Sequence, residues 1–316
     1  MKITNLAIIF FVLELLMITL IDIRLNNLTA ITNKQVEYNK ALDNAIDDGV
    51  MNLVEVDSNR KLILNKEEAV QQFFESLFAN FGVIGNSRLE NRLKNYIPVI
   101  LITDTDGFYI NYSELNKSND EVLTVSKWSE KIPYSYEENN IIYKFTLGDY
   151  ITLYDGSANL IYEGDYHDLN THFPGTLLTK DTFDEIRRSA IIGKIEEKMN
   201  YYINLHNNIA EQYGITYRFW LPQINKADWY QTVNNISMLV IFQGYPYNAA
   251  GLDTYNRYAL SGARIKKNSA YFLTKINNLK IYHRDNCKRI DDSGIPYYTK
   301  EECALEGAYP CPDCNP

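Results

Sequence analysis

The chain has no surplus of positive charge: 31 Lys and Arg stand against 40 Asp and Glu, a formal charge of -9. A nonspecific nucleic-acid binder needs a basic face to displace counterions, so no nucleic-acid partner is expected. Cysteine is missing from the first 286 residues, which leaves the bulk of the chain without a thiol site. There is no Gly-rich phosphate loop, no Gly-x-Ser-x-Gly elbow and no His-Glu-x-x-His, and an enzyme is therefore the least supported class. Proline is missing from Leu25 to Val54, so nothing there breaks a helix. No small-residue cleavage site directly follows Ile21, and Leu28-Thr29-Ala30 is the only weak candidate. A retained anchor is expected on that ground, with a cleaved signal peptide as its rival.

The retained anchor would be the apolar run Ile3 to Ile21, interrupted only by Thr4, Asn5, Glu14 and Thr19. About 18 residues at about 1.5 Å each give roughly 27 Å, close to the roughly 30 Å of a bilayer core. Residues 3–21 are thus expected in membrane lipid. Lys2 precedes the run while Asp22 and Arg24 cancel after it, which places the bulk of the chain outside the cytoplasm. The expectation is a single-pass protein of the cell membrane with an extracytoplasmic body.

Glu14 is out of place in hydrocarbon, where an ionisable group costs about 2.5 kcal/mol or more. The stretch Phe10-Phe11-Val12-Leu13-Glu14-Leu15-Leu16 resembles the N-terminal helix of type IV pilins and pseudopilins, in which Phe opens the apolar helix and Glu is fifth. Ile9 stands where that family has glycine. The resemblance implies that Glu14 pairs with the amino terminus of a neighbouring subunit, building a homo- or hetero-oligomer through this helix. The alternative is a single Glu tolerated in a simple anchor.

Beyond the anchor (1–24), Leu28, Ile31, Tyr38, Leu42 and Ala45 approximate a heptad stripe interrupted by Gln35 and Gly49, and residues 25–55 read as a stalk helix. Residues 56–275 read as a mixed α+β domain with a mainly antiparallel sheet. Asn65 followed by Val70, Phe73, Phe74, Leu77, Phe78 and Phe81 predicts a core helix, and a shorter one runs from Ser87 to Asn95. Strands are predicted at Val99–Thr103 and Phe108–Tyr112 around an Asp104-Thr105-Asp106-Gly107 turn, and at Ile141–Leu147, Tyr150–Tyr154 and Leu160–Glu163. A long helix opens at Asp181 and ends at Gly214, with His206 on its apolar face. Strands follow at Ile215–Leu221, Ile236–Gln243 and Tyr255–Ile265, the second apolar enough to be central. Between the last two, Tyr245, Pro246 and Tyr247 open an aromatic loop, the best candidate for a contact surface. The chain holds 25 Tyr, a residue favoured in strands and at wet interfaces.

Two further patterns carry resemblances. The apolar strand ending in Asp104-x-Asp106 resembles the first motif of haloacid-dehalogenase-type phosphotransferases, which would make Asp104 a nucleophile and Asp106 an acid; a hairpin turn is the default. The strand, acid-Gly turn and strand also resemble extracellular sensor domains of the Cache type, which implies ligand binding. Asp165, His167, Asp168 and His172 have the composition of a metal site without its spacing and read as loop polarity.

The densest chemistry lies at the C-terminus. His283-x3-Cys287 and Cys311-x2-Cys314 are two short ligand pairs, with Cys303 between them. Such pairs suit a closed tetrahedral zinc site, and a tail too short for a core of its own gains its folding energy from the metal. Cys303 is the alternative fourth ligand, and two disulfides are the alternative chemistry outside the cytoplasm. The tail 276–316 resembles the small metal-binding module of Ada-type DNA-repair methyltransferases. Tyr282, His283, Cys287, Lys300-Glu301-Glu302, Gly307 and Tyr309-Pro310-Cys311-Pro312-Asp313-Cys314-Asn315-Pro316 carry the likeness. His283 stands where that family has its methyl-accepting cysteine, so the resemblance implies zinc binding without alkyl transfer.

These readings converge on a noncatalytic envelope protein, a pilin-like or secretion-apparatus subunit with a structural zinc tail. The alternatives are a ligand-binding or sensory ectodomain and a surface enzyme of unknown type.

Overall fold

The computed structural model describes residues 3–56, 62–118, 121–172, 180–212, 214–247, 253–263, 271–276, 279–284, 287–290, 296–297 and 300–314. Side chains are described for these except at 3–7, 56, 115–118, 121–124, 170–172, 180–181, 276, 296 and 301. Two compact units divide between Ala263 and Arg264.

The first unit opens on helix α1 (Ile3–Met51) and a small β1 (Val54–Val56), β2 (Leu62–Leu64) ladder, followed by α2 (Lys66–Asn80) and α3 (Ser87–Lys94). Seven strands follow: β3 (Val99–Asp104), β4 (Gly107–Ser118), β5 (Glu121–Trp128), β6 (Ile132–Glu138), β7 (Ile141–Phe145), β8 (Tyr150–Asp155) and β9 (Leu160–Asp165). Then come α4 (Tyr166–His172), α5 (Lys180–Gln212), α6 (Lys226–Asn234), β10 (Ser237–Pro246) and β11 (Thr254–Gly262). The strands join in one nine-stranded sheet in the order β11-β10-β3-β4-β6-β7-β8-β9, with β5 pairing β4 alongside. Every pairing in it is antiparallel. The chain is therefore mixed α+β with a long N-terminal helix, as its pattern predicts.

Strands β3 and β10 form the centre. Val99–Thr103 and Ser237–Gly244 are buried without a break, so both faces of these strands are covered, which is why they read as continuous apolar runs rather than alternating ones. Helix α5 lies along β3, β4 and β6. Phe183, Arg187, Ile191, Ile195, Met199 and Ile203, spaced four apart, are its buried face, as stacking of i and i+4 requires. The turn after β3 is the expected hairpin: Asp104 pairs with Gly107, and Lys131 bridges Asp104 and Asp106. Because β4 returns antiparallel to β3, the Asp104-x-Asp106 pair sits on a tight turn tied by that lysine.

Helix α1 has two different halves. From Tyr38 onward Tyr38, Leu42, Ala45, Ile46 and Val50 are buried in the core, packed on α2, β10 and β11. Gly49, which interrupts the sequence stripe, has a packing reason: a Cβ there would lie 2.9 Å from the Ala69 carbonyl oxygen and 3.1 Å from Phe73 Cβ, so glycine lets the α1 and α2 backbones approach. From Ile8 to Ala30 every residue is exposed, and the large hydrophobics of that half are 49% to 67% exposed. The heptad stripe thus engages the body only from Tyr38, and Leu28 does not pack.

Among the described residues no helix is long and apolar enough to cross a membrane. The described side chains of α1 begin at Ile8, and about 18 residues counted from there take in Glu14, Asp22 and Arg24. The expected span through residues 3–21 is not found, and its side chains at 3–7 lie outside the described residues.

One predicted strand is absent. Residues 215–225 are irregular, and around Phe219 side chains, not a neighbouring strand, take the backbone groups. Asn207 receives the Phe219 N–H at 2.7 Å and donates to the Phe219 carbonyl at 3.0 Å, and Gln243 Oε1 accepts the Trp220 N–H at 3.2 Å. An alternating apolar pattern needs a free sheet edge to become a strand, and here the backbone at Phe219 and Trp220 is already engaged.

The second unit is small. Strands β12 (Tyr271–Ile276) and β13 (Leu279–Arg284) form a hairpin, β14 (Pro296–Tyr297) pairs β12, and helix α7 (Lys300–Leu305) leads to β15 (Tyr309–Pro310), which runs parallel to β13. The unit begins before residue 276 because β12 is bonded to the strand that carries His283. Gly307, at φ 70°, takes the left-handed turn after α7 that favours glycine.

Candidate metal centre

The β12–β13 register pairs Leu273 with Tyr282 and Phe272 with His283. Successive side chains point to opposite faces of a strand, so Tyr282 and His283 face opposite ways. On the Tyr282 side lies the small apolar core of this unit: Tyr282, Cys303 and Ala308, with Tyr271, Leu273 and Tyr297 against them. On the other side His283 is fully buried. The β13–β15 pairing sets Tyr282 against Pro310, and the Cys311 N–H donates to the Tyr282 carbonyl at 3.0 Å. Cys311 is thereby delivered beside His283. Cys287 is held near the end of β13, where its N–H donates to the Arg284 carbonyl at 3.0 Å. The Pro312-Asp313-Cys314 turn brings Cys314.

One ligand atom from each of His283, Cys287, Cys311 and Cys314 lies within 4.8 Å of the others. These four are close enough to hold a metal ion. A tetrahedral site with metal–ligand bonds of about 2.0–2.3 Å spaces its ligand atoms roughly 3.3–3.8 Å apart, so closure needs only small side-chain adjustments. The His283 ring is oriented for ligation, with Nδ1 3.3 Å from Cys287 Sγ and Nε2 2.7 Å from the Thr274 hydroxyl. Arg289 Nε donates to Asp313 Oδ2 at 2.6 Å, an exposed ion pair that ties the turn after Cys287 to the turn before Cys314.

The electrostatics favour ligation at His283 and Cys311. Burial, helped by the Arg289 charge, lowers the His283 pKa, so the ring is neutral, the form that binds metal. Burial pushes the Cys311 thiol up, but the backbone N–H groups of Cys314 and Asp313 and hydrogen bonds with the Cys314 and Cys287 thiols outweigh it, and its pKa falls. A thiolate among donors is what metal capture requires. The Cys314 pKa is raised, by burial first and by its thiol neighbours next.

All four cysteines are free, so the two-disulfide alternative is not the state of this structure. Cys303 is fully buried in the apolar cluster on the far face of the hairpin, where burial first, and then Glu302, raise its pKa. It stands apart from the ligand group because it shares the Tyr282 face, not the His283 face.

The other sequence candidates lie in the first unit. Glu14 is exposed on α1. Tyr245, Pro246 and Tyr247 sit at the end of β10 and just beyond it, half-buried. The two tyrosine rings lie 5.5 and 5.8 Å from that of Tyr38; residues 248–252 of the expected contact loop lie outside the described residues. Asp165 accepts from the His167 N–H at 2.9 Å and His167 Nδ1 at 2.5 Å at the start of α4, a local turn, and the His172 side chain lies outside the described residues. His206 is buried, with Nε2 2.8 Å from the Asn95 carbonyl and Nδ1 unpartnered.

Sequence reasoning missed Thr274, whose contact with His283 depends on hairpin register, and the Arg289–Asp313 clasp. It also missed a cleft of about 620 Å³ whose lining includes Phe74 and Phe78 of α2, Lys94 of α3, Ile100 of β3, Tyr112 of β4 and Trp128 of β5. No family model, curated protein or solved structure matches the chain.

Proposed function

We propose that this chain is a noncatalytic, single-pass membrane-anchored protein of the cell envelope, held in lipid by the first half of α1, with an extracytoplasmic body and a zinc-clipped tail. The observation that carries the reading is the exposed half of α1, where Ile8 to Leu28 present large hydrophobics at 49% to 67% exposure while the core begins at Tyr38. Monomeric soluble proteins rarely leave such a surface uncovered. The apolar residues lie all round this half rather than along one seam, which suits lipid better than a single partner helix. The sequence run Ile3 to Ile21 has bilayer length with Glu14 as its one ionisable residue. Glu14 would then serve assembly, pairing with a neighbouring copy or a related subunit in the membrane, which is the pilin-like form of the proposal.

In the tail, His283, Cys287, Cys311 and Cys314 would hold zinc, a metal suited to three thiolates and an imidazole. Bound there, zinc would supply folding energy to a unit whose described apolar core holds three buried residues.

The test is fractionation of the full chain. A protein that stays in membranes through an alkaline carbonate wash, and is released when residues 1–24 are deleted, fits the proposal; full-length protein recovered soluble without detergent overturns it. In-cell cross-linking through α1 that is lost in Glu14→Ala fits the assembly role. A strictly monomeric protein indifferent to that change removes it.

A second reading, ligand binding by the body, is favoured by the cleft beside α2. Its volume falls in the range of small-molecule sites, and its lining of aromatic rings beside charged and amide side chains such as Glu67, Lys94 and Asn111 suits an amphiphilic ligand. A compound that raises the melting temperature of the protein but not of Trp128→Ala would support it.

A further inference from the structure

We infer that Thr274 is a positioning residue for the metal centre: its hydroxyl accepts a hydrogen bond from His283 Nε2–H and so directs the lone pair of Nδ1 at the thiols. The inference rests on the metal-binding reading of the tail and adds which ring atom binds and what holds it.

The ring geometry distinguishes the two nitrogens. Nδ1 lies 3.3 Å from Cys287 Sγ and Nε2 lies 2.7 Å from Thr274 Oγ1. A neutral imidazole carries one proton, and a nitrogen that binds metal must give up its own, so ligation through Nδ1 requires the proton on Nε2. His283 is fully buried, and a buried N–H without an acceptor costs about 1–3 kcal/mol. The Thr274 hydroxyl oxygen supplies that acceptor.

The fold explains why it is there. Thr274 pairs with Ile281 and Phe272 pairs with His283, so Thr274 and His283 are diagonal neighbours on one face of the hairpin, within reach of each other. Threonine is β-branched, which narrows its side-chain rotamers and holds the hydroxyl toward the ring. Ligating histidines commonly donate their second N–H to such a partner, and removing the partner weakens metal binding by about 10- to 100-fold.

The experiment uses the full chain and zinc alone. In zinc-loaded protein labelled with ¹⁵N, long-range proton–nitrogen spectra should show His283 with Nδ1 bound to metal and Nε2 protonated. Thr274→Val should weaken zinc binding about 10- to 100-fold, and Thr274→Ser, which restores the hydroxyl, should recover most of the affinity. Wild-type protein that takes up no zinc ends the metal reading itself. Zinc uptake with His283 bound through Nε2, or with Thr274→Val binding as tightly as wild type, overturns the inference and leaves the metal reading intact. Should Thr274→Val fail to fold, the wild-type nitrogen assignment and Thr274→Ser still decide.

Discussion

Replacing Cys311 and replacing Cys303 should have opposite consequences, although both are buried cysteines of the same small unit. Cys311 is 1% exposed, belongs to the four-residue ligand group, and is held by its N–H on the Tyr282 carbonyl. Structural zinc contributes an apparent free energy of about 10–16 kcal/mol in small modules near neutral pH. Shared over four ligands, the loss of one corresponds to about 2.5–4 kcal/mol, or a metal affinity lower by about 10²- to 10³-fold at about 1.4 kcal/mol per decade. Cys311→Ser keeps the side-chain size, so the effect is electronic, not steric. Cys303 is 0% exposed but packs against Tyr282 and Ala308 on the other face of the hairpin. Cys303→Ser buries a hydroxyl, which costs about 1–3 kcal/mol of local stability if it stays unpartnered, while affinity should stay within about threefold because no donor is lost. Competition against a chromophoric chelator measures both. With cobalt in place of zinc, the thiolate charge-transfer intensity should fall by about a third in Cys311→Ser, as three thiolates become two, and hold in Cys303→Ser. Equal loss in both variants, or loss in Cys303→Ser alone, would refute the face assignment drawn from the hairpin register.

Gly49→Ala should destabilise the first unit by about 1–3 kcal/mol, the usual range for overpacking, because the added Cβ would meet the Ala69 carbonyl oxygen at 2.9 Å; urea unfolding followed by tryptophan fluorescence measures it, and an unchanged midpoint would show that α1 and α2 can separate freely. His206 gives a pH dependence. Burial, partly offset by the hydrogen bond to the Asn95 carbonyl, lowers its pKa from 6.5 to about 4. The unfolded chain therefore takes up the proton first, and stability falls as pH drops from about 6.5 towards 4, by up to about 1.4 kcal/mol per pH unit. His206→Gln should flatten that slope between pH 6.5 and 5, and identical slopes in the two proteins would refute it.

Much of the architecture could be read where local pattern and tertiary demand agree. The spacing Val70, Phe73, Leu77, Phe78 sets the buried face of α2, and the apolar run from Ile236 to Gln243 becomes the central β10. The Asp104-Thr105-Asp106-Gly107 sequence makes the hairpin turn between β3 and β4. The ligand set was legible because each pair is local in sequence and needs only one turn to converge. What escaped depends on distant partners. Ile215, Tyr217 and Phe219 alternate like a strand, but Asn207 and Gln243 claim the backbone around Phe219. Tyr245 and Tyr247 read as an outward aromatic surface, yet both rings pack near Tyr38, some 200 residues earlier. Asn65 has the form of a helix cap, but its side chain donates to Glu55 at 3.3 Å instead. Cys303 on α7 has the chemistry of a spare ligand, but it packs against Tyr282, which strand alternation turns away from His283.

Metal content per chain tests the central claim most directly. Full-length protein purified without chelators or added metal, then analysed by inductively coupled plasma mass spectrometry beside a thiol titration, should carry close to one zinc per chain. Treatment with a strong chelator should open residues of the second unit to hydrogen exchange while the first unit stays protected. Protein free of any metal, with its second unit equally protected before and after chelation, would contradict the account.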